Sequence, residues 1–146
     1  MIFKSKSFSQ SKNILHAFFS RKKGKSKGIY SSLNCGLGSK DNKKNVYQNL
    51  EIIKKKIGIK FLFLVNQKHS NKIIVLKKLP TNTNQPRIGS GDGIFTNLSN
   101  VSIGILTADC APVLFVDKKS NYICCVHAGW KGAFGNIVEN AIALFK

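Results

Sequence analysis

Apolar residues recur along this chain mostly in short runs separated by polar links, with one stretch of longer period. Between Asn42 and Gly58, Val46, Leu50, Ile53 and Ile57 fall at i, i+4, i+7 and i+11, the spacing of one buried helical face. Asp41 or Asn42 supplies a cap for that predicted helix, and Gly58 supplies its stop. Lys54, Lys55 and Lys56 suit the negative end of its dipole. Strand-length runs are predicted at Ile2-Phe3, His16 to Phe19, Phe61 to Val65, Lys72 to Leu76, Ile94 to Thr96, Val101 to Leu106, Pro112 to Val116 and Tyr122 to Val126. A second amphipathic helix is predicted from Phe134 to Phe145. Ile29 to Gly36 reads as irregular, because its Ser and Asn side chains compete for backbone bonds. Lys77 to Gly91, with Pro80 and Pro86, reads as a loop. The link Asn66 to Ser70 reads as a hairpin turn that sets His69 at a strand end. The pattern predicts an α+β fold, a layered sandwich of mixed β-sheets with flanking helices, forming one domain over residues 1–146.

Composition narrows the class. At 146 residues and 42% hydrophobic content, the chain can bury a real core. None of its apolar runs approaches the roughly 20 residues of a membrane helix. The opening segment MIFKSKSFSQSKN lacks the apolar centre of a secretory leader, so a cytoplasmic location is expected. The formal charge of +18 raises the question of nucleic acid. Yet the only arginines are Arg21 and Arg87, and the lysine clusters carry neither interleaved aromatics nor a groove-reading motif. The charge is therefore read as a solvated surface, with nucleic acid not expected as a partner. Cys35, Cys110, Cys124 and Cys125 are read as free thiols, since two are adjacent and no secretory feature accompanies them.

The chemistry concentrates between Thr107 and Gly132, TADCAPVLFVDKKSNYICCVHAGWKG. Polar Asp-Cys and His-Gly-Trp groups at the ends of buried strands are costly to place unless they react or bind. Of the three histidines, His69 and His127 fall at strand ends, as does Cys110; His16 reads as a strand or loop residue. Two imidazoles and a thiolate suit Zn²⁺, and three protein ligands leave a fourth position open. Their separations match no local zinc signature. The same residues also permit a Cys-His hydrolase in which Cys110 is nucleophile, His127 its base, and Asp109 or Gln67 a helper. The turn Gly129 to Ala133 lets a ligand approach the backbone, and Lys131 adds charge for an anion such as phosphate.

QKHS at Gln67 to Ser70, DGIFT at Asp92 to Thr96, TADCAPVLFVD at Thr107 to Asp117 and HAGWKG at His127 to Gly132 stand in the order of a known family's motifs. HAFFSR at His16 to Arg21 and SSLNCG at Ser31 to Gly36 precede them. The chain thereby resembles the DUF152 family, also called multicopper polyphenol oxidase or laccase-like. Its better-supported members are zinc-dependent purine nucleoside phosphorylases that also deaminate adenosine. The resemblance implies a layered α+β fold and His69, Cys110 and His127 as metal ligands. It implies phosphorolysis of adenosine, inosine, guanosine or methylthioadenosine, with purine nucleosides and phosphate as the partners. Asp109 and Cys110 are then the catalytic positions, and Arg21, Gln67, Gly129 and Lys131 the substrate-binding ones. Zinc is expected rather than copper, because a multicopper centre needs many more imidazoles than three.

Two departures from the family pattern bear on activity. Members usually exceed 200 residues, so the C-terminal part is expected to be missing. An inactive remnant, or half of a protein completed by a separate C-terminal chain, is the alternative reading. Members also commonly carry Arg where Leu50 and Lys131 stand, and lysine meets phosphate only as a point charge.

Overall fold

The computed structural model describes residues 2–9, 13–119 and 121–146. The chain forms two compact units, Met1–Ile59 and Lys60–Lys146.

In the first unit, β1 (Ile2–Phe3) pairs antiparallel with β2 (Phe18–Phe19). A single turn, α1 (Lys6–Ser9), lies between them, where the apolar pattern gave no signal. His16 falls outside the strand; it is buried, accepts a bond from the Ser5 N–H at Nε2, and meets Phe8 edge-on. The predicted irregular stretch contains one 3₁₀ turn, Gly28–Tyr30. The predicted helix is α2 (Lys43–Ile57). Asn42 caps it by accepting from the Lys44 N–H, and Gly58 ends it in the left-handed conformation with φ 72°. Val46 and Leu50 are buried, while Ile53 and Ile57 are half-buried.

Asn49, outside the apolar periodicity, is the helix's fully buried polar residue. Its Nδ2 donates to Ser26 Oγ, Ser32 O and Asn34 O, and its Oδ1 accepts from the Lys25 N–H. Those four bonds tie the basic loop to the helix and satisfy an amide that would otherwise be costly to bury. Asp41 extends the network, accepting from Ser26 Oγ and Asn34 Nδ2.

The second unit holds β3 (Phe61–Asn66), β4 (Ile73–Leu76), β5 (Arg87–Ser90), β6 (Gly93–Thr96), β7 (Val101–Ile103), β8 (Ala111–Val116) and β9 (Ile123–Ala128). They are followed by the short helices α3 (Trp130–Phe134) and α4 (Ile137–Ala143). One sheet, in the order β5-β3-β7, is parallel throughout. The other, β4-β6-β9-β8, is mixed: β4 and β6 are parallel, while β9 runs antiparallel to both β6 and β8. Phe63 and Val65 of the first sheet share a core with Leu76, Ile94 and Cys125 of the second. Phe95, Cys124 and Val126 turn to the opposite face, against Ile137 and Ala141 of α4. Adjacent residues of β6 and β9 thus enter different cores, as a period of two requires. The result is the expected layered α+β sandwich.

Three local expectations are corrected. The Asn66 to Ser70 link is no hairpin, because β3 and β4 belong to different sheets and each finds only parallel partners. Among the described strands of the second unit, β8 and β9 are the sequential pair that lies antiparallel. Arg87–Ser90, read as loop, is an edge strand beside β3; its polar and glycine content hid it. The segment read as the Gly129 to Ala133 turn is mostly the short helix α3, and the helix predicted from Phe134 starts only at Ile137, after a break at Gly135 and at Asn136, which takes φ 62°. No helix among the described residues is long and apolar enough to cross a membrane.

Candidate metal centre

Strand register brings the chemistry of the second unit to one end of the mixed sheet. Ala111 of β8 lies opposite Ala128 of β9, so Cys110 and Gly129 follow at the same end of that pair. Gly93 of β6 lies opposite Val126, which sets Asp92 beside His127; the His127 N–H donates to Asp92 O at 2.7 Å. Ile73 of β4 lies opposite Gly93, and the Asp92 N–H donates to Lys72 O at 2.8 Å. His69 arrives on the link between β3 and β4.

His69, Cys110 and His127 converge, each offering one ligand atom, with these atoms within 4.8 Å of one another. The imidazoles of His69 and His127 meet at 83°, with centroids 4.8 Å apart. His127 is buried, Cys110 half-buried and His69 exposed, so the cluster opens to solvent on the His69 side. Gly129 makes the convergence sterically possible. A Cβ there would stand 2.8 Å from His69 Cδ2, 3.1 Å from His127 Cε1 and 3.3 Å from Cys110 Sγ, a crowding that no alanine avoids.

A buried carboxylate organises the cluster. Asp92 has no exposed surface and accepts from the backbone N–H groups of Lys68, His69 and Ser70 at 3.1, 3.0 and 2.7 Å. It also accepts from Ser70 Oγ at 2.7 Å, and its Oδ1 lies 2.9 Å from His127 Nδ1. Burial alone would raise its pKa, but the bonds from Ser70, His127 and Lys68 outweigh that and hold it below the usual carboxylate value. These bonds hold His69 in a left-handed conformation, φ 57°, which costs a non-glycine residue about 1 kcal/mol or more.

Gln67 braces the backbone ahead of Cys110. Its Nε2 donates to Leu106 O and its Oε1 accepts from the Leu106 N–H, each at 2.7 Å. Both ends of the amide are spent on fixing the segment that leads to Cys110.

Asp109 is exposed; partial desolvation first, then the charge and hydrogen bonding of the adjacent Asp109, push the Cys110 thiol above its ordinary pKa. Lys131, on α3, is exposed, with Nζ 5.3 Å from the Trp130 ring centroid. Arg21 belongs to the first unit, where its Nε and Nη2 donate to Ser31 O. Cys35 and Cys124 are buried thiols pushed up to about 12 by desolvation, and Cys125 is raised further still. The described cysteines are all free. Asp92 is the residue that sequence reasoning missed: Ser90-Gly91-Asp92-Gly93 reads as a turn, and only its place within DGIFT hinted otherwise.

The family model of the multi-copper polyphenol oxidoreductase laccase matches residues 15–146. The chain belongs to this family. A purine nucleoside phosphorylase of Haemophilus influenzae is 34% identical over 137 residues, which are 92% of this chain and 53% of that protein. One from Bacteroides thetaiotaomicron is 30% identical over 142 residues, covering 93% and 53% of the two. Among solved structures, a DUF152 protein of Neisseria meningitidis superposes with a TM-score of 0.76 at 32% identity, covering 89% of this chain and 51% of that one. YlmD of Geobacillus stearothermophilus gives a TM-score of 0.78 at 26% identity over 86% and 48%. The chain thus spans about half the length of the relatives it matches.

The donor set of this laccase-like family member is compatible with a resident metal ion. Two imidazoles and a thiol surround one point, with glycine where any side chain would intrude. Tetrahedral ligation at ordinary zinc distances sets ligand atoms about 3.5 Å apart.

Proposed function

We propose that this chain carries the zinc centre of a purine nucleoside phosphorylase acting on adenosine, inosine, guanosine or methylthioadenosine, with adenosine deamination as a side activity. The observation that supports it most is the convergence of His69, Cys110 and His127 around Gly129, in a family whose similar members bear that enzymatic name. His69, Cys110 and His127 would hold zinc, which when bound supplies a Lewis acid with an open coordination position and activates water for deamination. Three histidines are too few for a multicopper cluster, which favours zinc over copper.

In phosphorolysis, a phosphate oxygen attacks the anomeric carbon, the bond from that carbon to the purine nitrogen breaks, and the departing base takes up a proton. Lys131 and the glycine-rich Gly129 to Ala133 segment would hold the phosphate. Asp109, exposed beside Cys110, would carry the proton. Gln67 would act indirectly, by holding the backbone before Cys110. A Cys-His hydrolase draws less support, because the similar members of the family bear the phosphorylase name.

The test is turnover by purified chain freed of metal and reloaded with one equivalent of zinc. Inosine with phosphate should yield hypoxanthine and ribose 1-phosphate on chromatography, and adenosine without phosphate should yield inosine. H69A and C110A should abolish both. A zinc-loaded chain that turns over neither nucleoside removes the activity from this chain.

A further inference from the structure

Asp92 contacts both imidazole-bearing segments of the cluster yet offers the metal no free lone pair of its own. Its five partners come from two sources: the Lys68 to Ser70 turn and the ring of His127. An ionised carboxylate accepts and cannot donate, so the His127 Nδ1 facing it must carry hydrogen, which leaves the Nε2 lone pair free. Three successive N–H groups aimed at the same carboxylate fix the left-handed turn that presents His69. One buried side chain thereby sets the tautomer of one ligand and the backbone of another.

We infer that Asp92 is a positioning residue that presets both imidazoles for the metal. This inference rests on the metal reading of His69, Cys110 and His127. Ligand histidines commonly donate their second nitrogen to a carboxylate, and loss of that partner typically lowers metal affinity about 10- to 100-fold. Here the carboxylate also builds the turn carrying the other histidine, so the effect of its loss should lie toward the upper end.

Asp92→Asn separates this role from that of a buried turn-capping group. An asparagine keeps the shape and one acceptor, but its NH₂ must face either the His127 nitrogen or the N–H groups of the turn. Facing the ring, it favours hydrogen on Nε2 and blocks the metal; facing the turn, it opposes donors with donors. Two measurements on the full chain decide. In metal-free wild type, long-range proton–nitrogen correlation should find the His127 hydrogen on Nδ1. Titration with Co²⁺, read by its thiolate charge-transfer and d–d bands, should show D92N binding about 10- to 100-fold more weakly, with altered bands. Ser70→Ala, which removes one donor to Asp92 and touches neither ring, should leave the tautomer unchanged.

Hydrogen found on Nε2 in the wild type overturns the inference, whether or not D92N folds. Folded D92N that binds Co²⁺ as tightly as wild type, with the same bands, also overturns it and leaves the metal reading standing. Wild type that takes up no Co²⁺ overturns the metal reading and this inference together.

Discussion

At the scale of the residue, Gly129 and Asp92 divide the work of forming the cluster. Asp92 supplies the attraction that orients two segments, and Gly129 supplies the missing volume into which His69, Cys110 and His127 converge. Gly129→Ala tests the second part. The added methyl would stand 2.8 Å from His69 Cδ2, so the exposed histidine must move away while the strands beneath keep their bonds. A metal titration should show affinity lowered at least about 10-fold, in the range of other perturbed ligand supports. The melting temperature of the metal-free protein should change little, because no core contact is lost. The ligand types and their strand-end positions were legible in the sequence, since strand runs and the few histidines are local facts. Asp92 was not, because an aspartate between two glycines reads as a turn until its burial is known.

At the scale of the element, α2 is where pattern and structure agree most closely. Its cap, its buried face and its stop are all set by residues within one turn of the position they govern. Gly58 offers a clean measurement of one such signal. A Cβ there meets nothing within 4 Å, so Gly58→Ala costs only the left-handed backbone, φ 72°. Urea unfolding should show a loss of about 1 kcal/mol. The helix's own weak point in prediction was Asn49, a buried amide on no apolar repeat, whose four bonds reach a loop distant in sequence. The terminal helix failed differently: its apolar spacing runs through Gly135-Asn136, and only the backbone there reveals the break.

At the scale of the whole molecule, the scarcity of acids makes each carboxylate matter. Of the six acidic residues, Asp41, Asp92 and Asp117 are held below their ordinary values. The leading causes are the Ser26 hydroxyl at Asp41, hydrogen bonds that overcome burial at Asp92, and the Tyr122 backbone N–H at Asp117. A carboxylate depressed in the folded state adds stability above its unfolded pKa, about 4, and that stability disappears as pH falls through the lower folded value. Stability should therefore hold from neutral pH down to about 4 on account of these groups and drop below it. Denaturant midpoints measured against pH should show that drop, smaller in Asp41→Asn.

By itself the sequence determined the periods of its helices and strands and the layered α+β class, because each depends on local spacing, and its ordered motifs pointed to the three convergent side chains through family resemblance. The tertiary structure alone decided that β3 and β4 part into different sheets, that Gln67 holds Leu106, and that Asp92 sits between two histidines. Those outcomes rest on long-range register and burial: a residue's neighbours across a sheet are set by which strands pair, and a polar side chain becomes a buried partner or a surface turn only when that pairing is fixed.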